Sequence, residues 1–247
     1  MAESDFDKLL EESFCKNGLK KFLQPEIRRK FFFLTELLTQ ANAELNLTAI
    51  RDLPGIVSKH YADCLLGEDL IPDGANLLDV GCGGGFPTFP LAIARNDLRI
   101  TAIDSTQKKI DFVEKTAKTL DLPKIRTVCG RMEEAGCRPF RGNFDVVTAR
   151  AVANLRILSE LTLPFVKTGG LFLAMKGAQG EEELEEAGAA IEKLGGKVET
   201  VQRRELICPN ADGEELCEAR ILLLIRKVRP TPEKYPRPYP AIKKGFA

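Results

Sequence analysis

The chain lacks net charge: 36 Lys and Arg balance 36 Asp and Glu. Bulk electrostatics therefore give it no general attraction for nucleic acid, and any RNA contact must come from local patches. It lacks an apolar run near the ~20 residues that a membrane helix needs. Its first stretch, "MAESDFDKLLEESFCKN", is too charged for a signal peptide. A soluble, cytoplasmic protein with no membrane partner is expected. None of the seven cysteines stands in a C-x-x-C pair, and their number is odd. That excludes a zinc ribbon or a disulfide framework and predicts reduced, mostly buried thiols. No metal site is expected. The sequon at Asn46 has no secretory context. Histidine is nearly missing: His60 stands alone, ahead of the α/β-patterned part of the chain.

What is there begins with helical spacing. "SDFDKLLEESF" offers Ser4 as an N-cap and puts Phe6, Leu9, Leu10 and Phe14 on one face. Pro25 suits the first position of a longer helix carrying Ile27, Phe31, Leu34, Leu38 and Leu45. The run Phe31-Phe32-Phe33 reads as core packing. "NLTAIRDLPG" is a loop, and "IVSKHYADCLLG" is a third helix ending near Gly67.

From residue 75 short β-type runs alternate with helical ones: "NLLDV", "LRITAID", "KIRTVCG", "FDVVTARA" and "GGLFLAMKG" each precede a helix or turn. "KVETVQRRELIC" and "EARILLLIRKV" are too close for a helix between them and form an antiparallel hairpin. The pattern predicts an α/β fold: a doubly wound, mostly parallel, seven-stranded Rossmann-like sheet with an antiparallel C-terminal hairpin. Three regions are expected. Residues 1–70 form a helical extension, 71–228 the α/β core, and 229–247 a Pro-rich, basic tail. Proline density predicts that the tail is extended and exposed, without a helix. That would leave Tyr235 and Tyr239 available to RNA. The acidic run "EEELEE" reads as a solvated helix face.

The stretch "LLDVGCGGGFPTFP" joins the first strand to the first core helix. In a doubly wound sheet this is where a nucleotide-like ligand meets the carboxyl ends of the strands. A dinucleotide fingerprint would place glycine where Phe86 stands, and a P-loop would need Gly-Lys-Ser/Thr. Instead Asp79 precedes Gly81, Gly83 and Gly85, which suits a ligand with an ammonium group. Asp104, at the end of the second strand, is placed to accept from ribose hydroxyls; the alternative is an N-cap for the helix that follows. An adenosine at one end and an amino acid at the other resembles the S-adenosyl-L-methionine site of class I methyltransferases.

The order "NLTAIRD", "KHYADCLL", "DVGCGGGFPTFPLAI", "IDSTQKKIDF", "GRMEE", "FDVVTARA", "AMKG" resembles the RsmG (GidB) family, bacterial 16S rRNA guanine-N7 methyltransferases. The resemblance covers roughly residues 20 to 240. It implies methylation of guanosine 527 of 16S rRNA. It also implies a cofactor site of Asp79, Gly81, Gly83, Gly85, Phe86, Asp104 and Ser105. Met132 and Glu133 would flank the adenine, and Arg150 would lie near the methionine end. Arg150 and Lys176, both at carboxyl edges of strands, are the candidate catalytic or positioning residues. Thr88 stands where the family usually has glycine, which is expected to tighten the loop. Guanine N7 carries a lone pair and no proton, so catalysis by alignment, without a general base, is expected.

Candidate RNA contacts are Arg51, His60, Arg131, Lys234 and Arg237, among other basic positions in the helical extension and the tail. Their sparseness points to an assembled 30S particle as the substrate. A monomer is expected. Two other readings compete. One is a non-catalytic RNA-binding ribosome-assembly factor, which the intact glycine loop disfavours. The other is an NAD-dependent oxidoreductase, which Phe86 and Asp79 disfavour.

Overall fold

The structure is a computed structural model that describes residues 2–134, 139–150, 152–210 and 212–245. Cys137, Ala135 and Gly136 of the "MEEAG" turn, and Ala151 of "TARA" lie outside the described residues. Helix α1 spans Glu3–Lys16 and α2 spans Pro25–Leu45. Pro25 opens α2, as expected, because its missing N–H costs nothing in a first turn. Ser4 does not cap α1: the helix starts two residues earlier than such a cap implies, with Ala2 at the N-cap and no side-chain cap bond. The third helical segment has an α turn at Leu53–Gly55 (α3), a π-helical stretch at Ile56–Ala62 and another α turn at Asp63–Leu65 (α4). A π-helical stretch this long is rare and is found mostly at functional sites.

Seven strands follow: β1 (Asn76–Val80), β2 (Arg99–Asp104), β3 (Ile125–Cys129), β4 (Phe144–Arg150), β5 (Val166–Lys176), β6 (Gly196–Pro209) and β7 (Glu215–Lys227). They form one sheet in the order β3-β2-β1-β4-β5-β7-β6. The first five pair in parallel, while β7 runs antiparallel to both β5 and β6. Helices α5 (Thr88–Ala94), α6 (Gln107–Thr119), α7 (Leu155–Thr162) and α8 (Gly180–Lys193) connect them. The doubly wound sheet with its closing hairpin is as the sequence predicts.

Side chains alternate across a strand, so each strand feeds two cores. Leu77, Val146, Leu171 and Leu173 pack on one face with Phe6, Phe14, Phe31 and Tyr61 of the N-terminal helices. Leu78, Val147, Phe172 and Ala174 pack on the other with Leu155, Leu158 and Ile191 of α7 and α8. The N-terminal helices thus share a continuous core with one face of the sheet. Phe31 and Phe32 are buried there, and only Phe33 is exposed.

Two features depart from the sequence reading. The tail is not an extended, exposed arm. Tyr239–Lys244 forms a helix, α9, with proline in its first turn, where no N–H is needed. Tyr235 and Ile242 are buried in the second core. Arg237 clasps Glu160, which is fully buried, through Nη2 at 2.7 Å and Nε at 2.9 Å. Arg141 donates to the carbonyls of Thr231, Pro232 and Tyr235. Burial of apolar tail residues outweighs the conformational freedom that proline-rich composition suggested. The thiols also differ: of the six described, Cys64, Cys82 and Cys208 are buried, Cys15 is half-buried, and Cys129 and Cys217 are exposed.

The hairpin reaches past the sheet. Strand β5 ends at Lys176, which pairs with Ile221, so the β7 residues before Ile221 project beyond the carboxyl edge. This projection leans on the helical segment. Asn17 completes its edge with a side-chain amide: Nδ2 donates to the Ile207 carbonyl at 3.0 Å and Oδ1 accepts from the Ile207 N–H at 2.8 Å. Lys59 and Glu218 pair at 2.8 Å, as do Arg204 and Asp69 at 3.0 Å. No helix among the described residues is long and apolar enough to cross a membrane.

Candidate active site

The glycine loop leaves β1 and is tied to β2. The N–H groups of Gly81 and Cys82 both donate to the Ile103 carbonyl, at 2.8 and 3.0 Å. Gly81, Gly83 and Gly85 all have positive φ, a conformation that side chains rarely adopt. The three have different neighbours. A Cβ on Gly85 would fall 2.2 Å from the Phe89 ring, and one on Gly81 would fall 2.7 Å from Val152. Those two glycines make room for the protein's own side chains. Gly83 alone faces open space, with nothing closer than 4.0 Å. The close approach that the sequence assigned to three glycines is therefore open at one.

Asp79 ends up fully buried beneath this loop. Its Oδ2 accepts from the Thr88 hydroxyl at 2.6 Å and from the Thr88 N–H at 3.2 Å. Its Oδ1 is buried with no hydrogen-bond partner among the described residues. Thr88, singled out in the sequence as a departure, thus saturates one oxygen of Asp79 and leaves the other waiting for a donor. Burial pushes the carboxyl up to about 6, against the bonds from Thr88 and the charge of Arg150. An orphaned acceptor of this kind fits an ammonium group. Asp104 holds the loop from the next strand: Oδ2 accepts from Gly83 N–H at 3.1 Å and Oδ1 from Thr106 N–H at 2.9 Å. It is half-exposed, and Ser105 beside it is exposed. Met132 is buried against Leu78 and Ile103 in the second core. The Glu133 side chain is mostly covered, and Arg131 lies on the surface 3.8 Å from it.

A polar knot sits beside the loop. Arg150, the last residue of β4, donates to the Lys59 carbonyl at 2.9 Å, to Asp63 Oδ2 at 3.0 Å and to His60 Nδ1 at 3.0 Å. The π-helical stretch supplies Lys59 and His60, and α4 supplies Asp63. Its guanidinium lies 5.7 Å from the centre of the Phe86 ring, and His60 stacks on that ring at 4.3 Å and 12°. An arginine can only donate. His60 Nδ1 is therefore the acceptor, its proton is on Nε2, and Nε2–H donates to Thr48 Oγ1 at 2.7 Å. Asp63 Oδ1 accepts in turn from Arg220 Nε at 2.6 Å, and Arg220 continues to Glu218 at 2.8 Å. Lys59 and Arg220 hold the Glu218 carboxyl down at about 2.

Several candidates from the sequence lie elsewhere than expected. His60 is buried with both ring nitrogens engaged, so it braces Arg150 and does not present itself to RNA. Arg237 is committed to the buried Glu160 of α7. Lys234 lies over the Tyr235 ring, 5.4 Å from its centre, and Arg51 is exposed with a 3.4 Å bond to Asn46. Lys176 donates to the Ala153 carbonyl and to Glu183 Oε2, both at 2.7 Å. Glu183 belongs to the acidic run, which is therefore not wholly a solvated face. Asp63 was visible as the last residue of "KHYAD", three positions after His60 and so on the same helical side. Arg220 was not, because nothing local marks a β7 residue as the partner of one 157 positions earlier.

His60 gives a pH prediction. Burial, and then the charge of Arg150, push it down to about 3 from 6.5. Between those values only the unfolded chain takes up the proton, so acidification costs stability. Denaturant unfolding should show that His60→Asn abolishes ~2 kcal/mol of the stability lost between pH 7 and 5. Asp79, raised above its unfolded value, contributes in the opposite direction in both proteins and cancels in the difference. Equal pH dependence in the two proteins would refute a neutral, buried His60.

Fold and site together define a class I S-adenosylmethionine-dependent methyltransferase. The fold is similar to that of M. jannaschii TYW2, solved in complex with AdoMet, with a TM-score of 0.53 at 16% identity over 67% of this chain and 74% of that one. The profile described as GidB, rRNA small subunit methyltransferase G, matches residues 27–208. The chain is 41% identical to ribosomal RNA small subunit methyltransferase G of Lactobacillus delbrueckii subsp. bulgaricus, over 93% of this chain and 94% of that protein. It is 43% identical to the protein of that name from Staphylococcus carnosus, over 94% and 92% of the two chains. The chain belongs to the rRNA small subunit methyltransferase G family, and its cofactor is S-adenosyl-L-methionine.

Proposed function

We propose that the protein methylates N7 of one guanine of 16S rRNA, the nucleotide at position 527 by family resemblance, within a 30S particle. The observation that carries the N7 assignment is that His60, Asp63 and Lys176, around Arg150, are already spoken for. His60 is held by Arg150 and Thr48, Asp63 by two arginines, and Lys176 by Glu183. The free oxygen of Asp79 suits a cation. With His60, Asp63 and Lys176 so engaged, the site suits a methyl acceptor that brings a lone pair and no proton to be removed. Guanine N7 meets that requirement.

S-adenosylmethionine, when bound, supplies an electrophilic methyl carbon on a sulfonium that leaves as a neutral thioether. Asp79 Oδ1 would accept from its ammonium group, the open side of Gly83 would admit it to the backbone, and Asp104 is placed for its ribose. Arg150, clamped at three acceptors and set against Phe86, fixes the wall beside the reacting atoms without moving a proton. Alignment and exclusion of water supply the acceleration.

Purified protein, S-adenosylmethionine and 30S subunits from cells lacking the gene provide the test. Mass spectrometry of nucleosides should find 7-methylguanosine in 16S rRNA, formed faster on 30S subunits than on naked RNA. A methyl at another guanine atom would overturn the N7 assignment, and equal rates on both substrates would overturn the particle preference.

A further inference from the structure

A cavity of about 580 Å³ opens at the carboxyl ends of β4 and β5, against the β7 projection. It adjoins the cofactor loop, because Val152 on its wall is the side chain that fills the notch of Gly81. Val152, Met175 and Leu222 give it apolar sides, and Val152 is among the few large apolar residues left exposed. Its size falls within the range of small-ligand pockets, and apolar sides set among charged groups suit a base, which has apolar faces and a polar edge.

One polar group in it is set differently from the rest. Glu183 Oε2 is pinned by two donors, the Leu155 N–H at 2.5 Å and Lys176 Nζ at 2.7 Å. Both bonds fall on the same oxygen, which leaves Oε1 without a hydrogen bond among the described residues, on a side chain that lines the cavity. The other carboxylate there, Asp63, spends one oxygen on each of two arginines.

We propose that this cavity receives the target nucleotide, flipped out of its RNA, and that Glu183 selects guanine. The proposal rests on the guanine-N7 reading above and adds the residue that reads the base. The Watson–Crick edge of guanine offers donors, N1–H and the N2 amino group, to the remaining oxygen, Oε1. Adenine has an unprotonated N1, whose lone pair would face the same oxygen. Reading that edge leaves N7, on the opposite side of the ring system, free to be methylated. A cation at the wall could not do this by bonding O6 and N7, the usual arginine contact to guanine, without blocking the reacting atom. Lys176 has a positioning role: it aims the Glu183 carboxylate.

The test uses the full-length protein on 30S subunits, with S-adenosylhomocysteine binding measured in parallel. Glu183→Gln should lower kcat/KM about 30-fold and leave the S-adenosylhomocysteine Kd within about threefold. Glu182→Gln, one residue away on the exposed side of α8, should change neither. Unaltered kcat/KM in Glu183→Gln overturns the proposal, and so does parallel loss of S-adenosylhomocysteine binding, which would assign Glu183 to the cofactor site. A second arm does not depend on any variant folding. The wild-type protein should methylate subunits with adenosine at the target position at least about 100-fold more slowly than those with guanosine. Equal rates overturn the proposal. Failure of the wild-type protein to methylate guanosine-bearing subunits at all would instead reject the underlying guanine-N7 reading.

Discussion

Asp79→Asn should make the protein more stable and nearly unable to bind its cofactor. The carboxylate is fully buried, and its Oδ1 has no partner among the described residues. Burial raises its folded pKa to about 6 from 3.8. The sign follows from linkage. Below pH 3.8 the group is protonated in both states and costs nothing. As pH rises toward 6 the unfolded chain gives up the proton first, and stability is lost. Above 6 the full cost is present, about 3 kcal/mol at pH 7. Asparagine has no charge to desolvate and can still accept the Thr88 hydroxyl, so the ligand-free variant should recover up to that amount in a denaturant titration at pH 7. It cannot offer a carboxylate to an ammonium group. The S-adenosylmethionine Kd, by calorimetry, should rise roughly 10²- to 10³-fold, as when one partner of a buried charge pair is removed. A destabilised variant that binds normally would show that Asp79 only anchors Thr88.

The second large effect is expected at Arg150. Its guanidinium satisfies three acceptors at once: Lys59 O, Asp63 Oδ2 and His60 Nδ1. Arg150→Ala leaves two of them, the carbonyl and the ring nitrogen, without a donor in a mostly buried site. It leaves Asp63 with Arg220 alone. Each stranded acceptor costs about 1–3 kcal/mol, so thermal or denaturant unfolding should register a loss of about 3 kcal/mol or more. Methylation of 30S subunits should fall below detection. Arg150→Lys keeps the charge but lacks the planar fork that meets three acceptors, and it should recover stability partly and activity poorly. Full activity in the lysine variant would mean that charge alone is used at this position.

The contrast between these two residues shows what a sequence can carry. Asp79 and the glycines were legible because strand, acid and turn are contiguous, and the chemistry of that turn is local. Arg150 was legible as a strand-end residue, but its partners were not. Their positions depend on a π-helical stretch and a projecting hairpin, neither of which leaves a periodic signature. Gly85 shows the opposite error: its place in the motif suggested an approach to ligand, while its neighbour is Phe89. The tail was misread because proline content measures what the chain cannot do alone. Tyr235, Arg237 and Ile242 fold against a core that composition does not reveal. The seven strands and the closing hairpin were recoverable because short β-type runs alternate with helical ones and the last two lie too close for a helix between them; the strand order came only from the structure.

The projecting hairpin has a consequence for the birth of the enzyme. Asp63 and Arg220 are 157 residues apart in sequence, and the knot that includes Arg150 is closed only when both are in place. The residues of the glycine loop, and of β1, β2 and β4 around it, all precede β7 in the chain. In a chain made from its N-terminus the residues of the cofactor loop therefore come well before those that finish the polar centre. Closing so long a loop is also slow relative to local folding. Completion of the polar centre beside the cofactor loop is in this way tied to almost the last strand of the chain.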